Sequence, residues 1–443
     1  MSVVSSNSLQ FSHIRETTPG VTPTNPAFKL WRLTSESLVF APQTAENTEI
    51  GGGGRFAKPA SVTGMSVNGS INFNLATFDA LKEAIAGVLA GEWGECPLTG
   101  ATGGAIDSVN RVTVGEGLQT FTIEKRFSNP NAVKGTIQSV AAGAVGSNTI
   151  DLTMSGGPAV GTGMVVVDIQ IGAAESQHVA VPIAVGDTDD AVATAVATAI
   201  NALPGMTASA TAAVVTVTGG AGGLVTTIDA RTGNDAYFYQ RFRGCSYSQI
   251  TFSVAPNADV TGAATVVGGV PELDVLPLAG ATYVSAGNSP VFNAPRVLAL
   301  TIGNNMAIGT NCWTSLDITL NSNNRGIPCI GTQGDREVVL GTFNAEMSGN
   351  VYFSNQEILQ ALMDNDVLGD GTVTMSNADG DVVRFDWYGL KPTAGQLAAG
   401  GAGQDLVIPV TVQPTPVKVC DDGTSDWLSG LIISTVDTAP TLP

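Results

Sequence analysis

The sequence predicts a mainly β fold. Two β-sandwich or barrel modules lie in tandem with one helix each, and a small β-rich domain is inserted in the first. Three observations predict this. The 443 residues include 53 Gly, and 43% are hydrophobic but only 13% charged; with abundant Val, Thr and Asn, that favours strands and turns. A strand-then-helix pattern occurs twice, over 61–89 and 340–365. Between 133 and 232 the chain is dominated by Ala, Val, Gly and Thr and contains no Phe, Tyr or Trp, unlike its flanks.

The first strand–helix pattern begins with Val67, Ile71 and Phe73 alternating with Asn68, Ser70, Asn72 and Asn74, the period of a half-buried strand. Thr77 is placed to cap a helix, with Asp79 in its first turn and Phe78, Leu81, Ile85, Val88 and Leu89 on one face. In the second copy Gly349, Val351 and Phe353 match Gly69, Ile71 and Phe73. Ser354 is the expected cap, Glu357 completes a capping box, and Ile358 and Leu362 replace Leu81 and Ile85. A repeat of this kind would govern the whole fold. Phe78, Leu81, Ile85, Ile358 and Leu362 are therefore the expected module core and interface residues.

In chain order, residues 1–60 read as irregular apart from a strand within Phe28–Phe40 and a glycine loop at Gly51–Gly54. That loop lacks the Lys-Ser/Thr ending and following helix of a phosphate cradle. Leu118–Phe127 is a strong strand. Its partner, Tyr237–Val254, is delayed, and the two would make a plain hairpin if 130–233 were removed. The intervening stretch reads as strands at Thr149–Met154, Val165–Ile171 and Val179–Ile183. A helix follows, capped by Asp187 or Thr188, with Val192, Ala195, Val196, Ala199, Ile200 and Leu203 on one face and Pro204-Gly205 as its stop. Further strands are expected at Ala213–Val217 and Val225–Ile228, then Arg296–Gly303 and Cys312–Asn321. Gly371–Met375 and Val382–Tyr388 should pair across Asp379-Gly380. Asp405–Val412 is a last strand whose Pro409 argues for a sheet edge or a bulge, and a loose or docked arm follows from Pro414. The expected limits are 1–132 with 233–268 for the first module, 133–232 for the insertion and 269–443 for the second module with its arm.

The formal charge of −19, from 19 basic and 38 acidic residues, argues against gripping nucleic acid, because phosphate binding is driven by Lys and Arg. Cys96, Cys245, Cys312, Cys329 and Cys420 are odd in number and widely spaced without a C-x-x-C. They suggest thiols in a reducing cytoplasm rather than a disulfide framework or zinc site. The N-terminal segment has no charged-then-apolar export pattern, and no apolar run reaches membrane-spanning length. His13 and His178 fall in different expected domains, so no Ser-His-Asp set assembles. Asp364, Asp366 and Asp370 lack calcium-loop spacing, and Asp421-Asp422-Gly423 reads as a turn. No catalytic, cofactor-binding or metal-binding residue is expected, and the chain is not expected to be an enzyme. The basic-aromatic strands Phe121–Phe127 and Tyr237–Tyr247 read as an interface or a salt-bridged edge.

Three stretches carry a family resemblance. GMSVNGSINFNLATFDALKEAIAG, the pair QTFTIEKRFS and AYFYQRFRGCSYSQITFSVAPNADVTGAATVVGG, and TSLDITLNSNNRGIPCIGTQGDREVVLGTFNAEMSGNVYFSNQEILQALM resemble tail tube (major tail) proteins of long-tailed, siphovirus-type bacteriophages. The resemblance covers most of the chain outside 133–232. It implies β-sandwich or barrel tube modules stacked as rings around a DNA channel, and six modules per ring. Two modules per chain would then give homotrimeric rings with approximate sixfold symmetry. It further implies self-assembly, the tape measure protein and phage DNA in the lumen, tail terminator and distal tail proteins as partners, no membrane insertion, and a place in the virion tail after assembly in the host cytoplasm. Phe121, Ile123, Phe127, Tyr237, Tyr239 and Phe242 become inter-subunit hairpin candidates, and an acidic lumen is expected. The alternative is a β-rich adhesin or glycan-binding surface protein, which would need an export signal and aromatic residues clustered in loops.

Overall fold

The computed structural model describes residues 6–47, 58–94, 109–128, 139–142, 149–159, 163–171, 177–203, 206–219, 225–233, 237–274, 278, 281–303, 306–307, 312–331, 334–352, 356–364, 366–395, 405–421 and 426–436. The expected glycine loop at 51–54, Cys96, and the Phe353 and Ser354 positions of the second strand–helix pattern lie outside them. The chain divides into two compact units. Unit one comprises Met1–Trp31, Phe121–Cys245 and Val270–Asn288; unit two comprises Arg32–Thr120, Ser246–Gly269 and Ser289–Pro443. Neither end of 133–232 coincides with a unit boundary.

The elements used below are β1 (Val39–Asn47), β2 (Lys58–Asn74), α1 (Asp79–Leu89), β3 (Phe121–Ser128), α2 (Asp189–Asn201), β4 (Tyr237–Val254), β5 (Val270–Asp274), β6 (Thr282–Val284), β7 (Arg325–Pro328), β8 (Asp335–Val339) and α3 (Glu357–Asp364). Other strands are given by their residues.

In unit one a single ladder runs β5, β4, β3, Gln10–Arg15, Ala27–Leu30, β6, Gln177–Ile183, Gly163–Ile171 and Val225–Gly233. Its pairings are antiparallel except that of Ala27–Leu30 with β6. The expected interrupted hairpin is present, with Tyr237 opposite Ser128 and Phe242 opposite Ile123. Three strands of the 133–232 stretch continue this ladder, because His178 and Val179 pair with Tyr283 and Thr282 of β6. The other strands of that stretch form a separate four-stranded sheet against which α2 packs. Their shared core of Ile150, Leu152, Val165, Val167, Val196, Ile200 and Val215 is wholly aliphatic. Thr188 caps α2 by accepting from the Ala191 amide at 3.3 Å, and Asp189 and Asp190 complement the helix dipole. The buried face is rotated from the expected one: Ala193 and Ala197 face inward and Ala195 outward.

In unit two one ladder runs β1, β2, Thr261–Val267, β4 from Ser246 onward, Trp313–Asn321, Asn344–Tyr352, Val407–Gln413 and Val382–Gly395. A second runs Val109–Thr113, Leu431–Val436, Val382–Gly395, Gly369–Ser376 and Val297–Ile302. Strand Val382–Gly395 serves both, Val382–Trp387 in the second and Lys391–Gly395 in the first. A strand that switches sheets in this way turns the corner of a sandwich. Phe252 of the first ladder meets Phe385 of the second edge-on, ring centroids 5.4 Å apart, and meets Phe73 at 6.2 Å. Both strand–helix patterns lie in this unit.

Several local expectations differ from the structure. The N-cap of α1 is Phe78, without a side-chain cap; Thr77 instead donates its hydroxyl to Asp381 at 2.6 Å, a bond no local pattern signals. Strand Gln10–Arg15 lies in the N-terminal stretch that reads as irregular. It does not alternate because Phe11, Ser12 and His13 are all buried. The C-terminal arm contains a core strand, with Leu431, Ile432 and Ile433 buried between Val382–Gly395 and Val109–Thr113. Pro409 pairs with Asn350 just where the ladder on its other side, which begins at Val410, has ended. A missing N–H is tolerated there.

The matched glycines share a physical role. A Cβ on Gly69 would strike the Leu38 backbone, and one on Gly349 would strike the Ser315 carbonyl and crowd the Trp313 ring. Gly349→Val is therefore expected to lower stability by about 1–3 kcal/mol through overpacking. A chemical-denaturation midpoint equal to that of the unmodified chain would contradict this reading.

Candidate functional site

The densest run of basic and aromatic residues folds into the β3–β4–β5 part of unit one, where its charges are neutralised. Register places Glu124 on β3 opposite Arg241 on β4, and Arg241 opposite Glu272 on β5. Arg241 Nε donates to Glu124 Oε2 at 2.6 Å, both side chains fully buried, and Nη1 donates to Asp274 Oδ2 at 3.1 Å. Tyr283 of β6 donates its hydroxyl to Glu124 Oε1 at 2.5 Å. Arg243 pairs with Glu272 at 2.5 Å. The Arg126 guanidinium stacks 5.3 Å from the Tyr283 ring centre, and Lys125 Nζ lies 5.8 Å from that of Phe242. Burial pushes the Glu124 carboxyl above the usual carboxylate range, against the pull of Arg241 and the Tyr283 hydroxyl. Burial opposes the charge on Arg241, but Glu124 and Asp274 more than offset it and hold its pKa above the ordinary value. Burial and Glu124 together hold the Tyr283 hydroxyl well up. A carboxylate sealed in this way meets no substrate; it ties β3, β4 and β6 together.

A second carboxylate fixes the backbone of this hairpin. β4 bulges between Phe242 and Cys245, with Gly244 at φ +75°. Glu16 Oε1 accepts from the Gly244 amide at 2.9 Å and the Thr122 hydroxyl at 2.7 Å, while Oε2 accepts from the Gly20 amide at 2.7 Å. Nothing local in the sequence marks Glu16 for this task, since two of its three partners, Thr122 and Gly244, come from distant segments.

Two exposed surfaces among the described residues bear on assembly. In unit one, Phe127, Phe238, Tyr239, Gln240, Leu273 and Asp274 line a groove of about 520 Å³ beside edge strand β5. In unit two, β1 and β2 pair from Val39–Asn68 out to Asn47–Lys58. Along this ribbon Ala41–Glu46 and Ala60–Thr63 are exposed on both faces. A two-stranded ribbon with no covered face is only marginally stable in water.

The model of the family described as phage tail tube protein matches residues 226–414. Over that stretch the chain is similar to the phage tail tube family. They span β4 to β8, α3 and those strands of the two ladders of unit two that lie between Ser246 and Gln413, so the matched stretch is mainly β. No curated protein matches the chain.

Within this mainly β fold the hairpin candidates separate into two groups. Phe121, Ile123, Tyr239 and Phe242 are buried inside the chain itself, and Phe127 is half-buried at the groove. Tyr237 opens β4 opposite Ser128. The expectation of either an interface or a salt-bridged edge leaves both features standing: the charges pair internally, and the end of the hairpin opens to solvent at Phe238. Of the helix positions, Phe78, Leu81 and Ile85 are buried at α1, and Ile358 and Leu362 lie on α3. Among the described residues no group of three or more His, Cys, Asp or Glu side chains could hold a metal, and no helix is long and apolar enough to cross a membrane. The match supports a structural role in a phage tail.

Proposed function

We propose that the chain is the major tail tube subunit of a long-tailed, siphovirus-type phage with a non-contractile tail. It stacks as rings into the conduit through which the genome passes to the host. The observation that carries this reading is the β1–β2 ribbon, exposed on both faces along its outer length. A monomer gains nothing from such a ribbon, whereas a stacked assembly buries it against the next copy. The internally neutralised β3–β4 hairpin supports the same reading, because its arginines are occupied and offer passing DNA no free phosphate contact. The net charge of −19 favours an acidic lumen that repels the strand and keeps its passage fast.

In this reading the tape measure protein and then DNA occupy the lumen, and the tail terminator and distal tail proteins close the two ends. The stretch 133–232 projects from the outer surface. The two strand–helix patterns, ending in α1 and α3, support a duplicated tube module and hence three chains per ring. Electron microscopy of the purified chain tests the function: rings and tubes are expected, and a persistent monomer at high concentration would refute it. Native mass spectrometry of a dissociated ring tests the stoichiometry. Three 45.1 kDa chains are expected, and six would overturn the duplication while leaving the tube intact.

A further inference from the structure

The tail tube reading requires surfaces that join copies, and two features of the structure complement each other as such surfaces. The first is the groove at β5. Its wall residues Leu273 and Phe238 are 71% and 42% exposed. β5 has no ladder partner on its outer side among the described residues, yet Pro271 is its second residue. Proline in an edge strand blunts strand addition. The groove is therefore suited to inserted side chains rather than to a further strand. At its mouth stands Asp274, its side chain 37% exposed and oriented by Arg241.

The second feature is the β7–β8 finger of unit two. Gly326 pairs with Val338 and Pro328 with Asp335, so the turn carries Cys329 and Ile330 at its tip. Ile330 is fully exposed, at 108% of its reference area, and among the described residues no other exposed large hydrophobic side chain reaches that value. The finger also carries exposed Arg325 and Arg336. In a chain with 19 basic against 38 acidic residues, copies repel one another by default. A contact between them is helped where an exposed arginine approaches a partly exposed carboxylate.

We propose that the finger of one copy seats Ile330 in the β5 groove of the next, with Arg325 or Arg336 facing Asp274. This proposal rests on the tube reading and names a contact within it. Because the finger and the groove are different surfaces, the contact is heterologous and passes from copy to copy instead of closing a symmetric dimer. One aliphatic anchor in an apolar pocket beside a charged rim is the usual anatomy of an interface hot spot.

The test combines disulfide trapping with a charge block. Leu273→Cys and Ile330→Cys are introduced together in a background with Cys96, Cys312, Cys329 and Cys420 replaced by serine, and the assembled material is oxidised. Covalent multimers are expected on non-reducing gels, and neither single cysteine should give them. Ile330→Asp lies on a solvent-exposed turn and should leave the monomer's circular dichroism unchanged while raising the concentration needed for assembly about tenfold or more. Tubes that form normally with Ile330→Asp, or tubes of the double-cysteine chain that never cross-link, would overturn the contact and leave the tube function standing. Failure of the unmodified chain to assemble would overturn the tube reading, and this contact with it.

Discussion

Arg241→Met is expected to cost the fold about 3–5 kcal/mol, the penalty for removing one partner of a fully buried ion pair. Arg241 and Glu124 are both wholly buried and 2.6 Å apart. The single substitution leaves the Glu124 carboxylate in a dry site with Tyr283 as its remaining close hydrogen-bond donor from the network. The paired change Arg241→Met with Glu124→Gln should recover much of that loss, because apolar packing replaces the guanidinium and no net charge stays buried. The single variant should also show a diagnostic pH dependence. Burial already raises the Glu124 carboxyl, and removing Arg241 raises it further. A carboxyl whose folded-state pKa lies above its unfolded value makes the folded state bind more protons, so stability falls as pH rises from the unfolded pKa through the folded one. Arg241→Met should therefore lose more stability at pH 8 than at pH 5, measured by urea unfolding. Equal losses at both values, or a double variant as unstable as the single, would show that the network does not hold the hairpin through its charges.

Shortening the β1–β2 ribbon is expected to abolish tube formation while leaving the monomer folded. Ala41 lies opposite Ser66 in the register, so residues 42–65 can be replaced by an Asn-Gly turn, which suits a two-residue hairpin. Among the described residues removed, little buried surface is lost, because Pro42–Glu46 and Ala60–Thr63 are exposed and Gly64 and Met65 are half-buried. The core residues Val67, Ile71 and Phe73 are retained. The thermal midpoint should stay within a few degrees, the shift expected for a change of under about 1 kcal/mol in a chain this size. Sedimentation should show the tube fraction lost. Tubes of normal length from the shortened chain would mean that the ribbon does not join copies. A collapsed midpoint would mean that it supports the fold of its own chain.

Much of the fold was legible wherever neighbouring residues decide the outcome. The delayed hairpin was visible because Phe121–Phe127 and Tyr237–Tyr247 share one character while 133–232 lacks aromatics, and the structure pairs Ser128 with Tyr237. The α2 cap and the turn at Asp379-Gly380 follow from capping and turn chemistry confined to a few residues. Strand Gln10–Arg15 escaped because burial on both sides removes the alternation that marks a strand. The docking of Leu431–Val436 escaped because its apolar run does not say which sheet it will enter.

The candidate site divides along the same physical line. Local order, through i to i+2 and i to i+4 spacing and glycine or proline placement, determined the β-rich class, the interrupted hairpin and the resemblance that the match over 226–414 supports. Only the tertiary structure decided which charges meet. Glu124 and Arg241 are 117 positions apart, and a charge written in sequence carries no record of its distant partner. Tertiary packing also decided exposure: it buried Phe121, Ile123 and Phe242 while leaving Leu273 and Ile330 in solvent. Hydrophobicity sets the drive for burial, but the surface available to cover a side chain exists only once distant segments have come together.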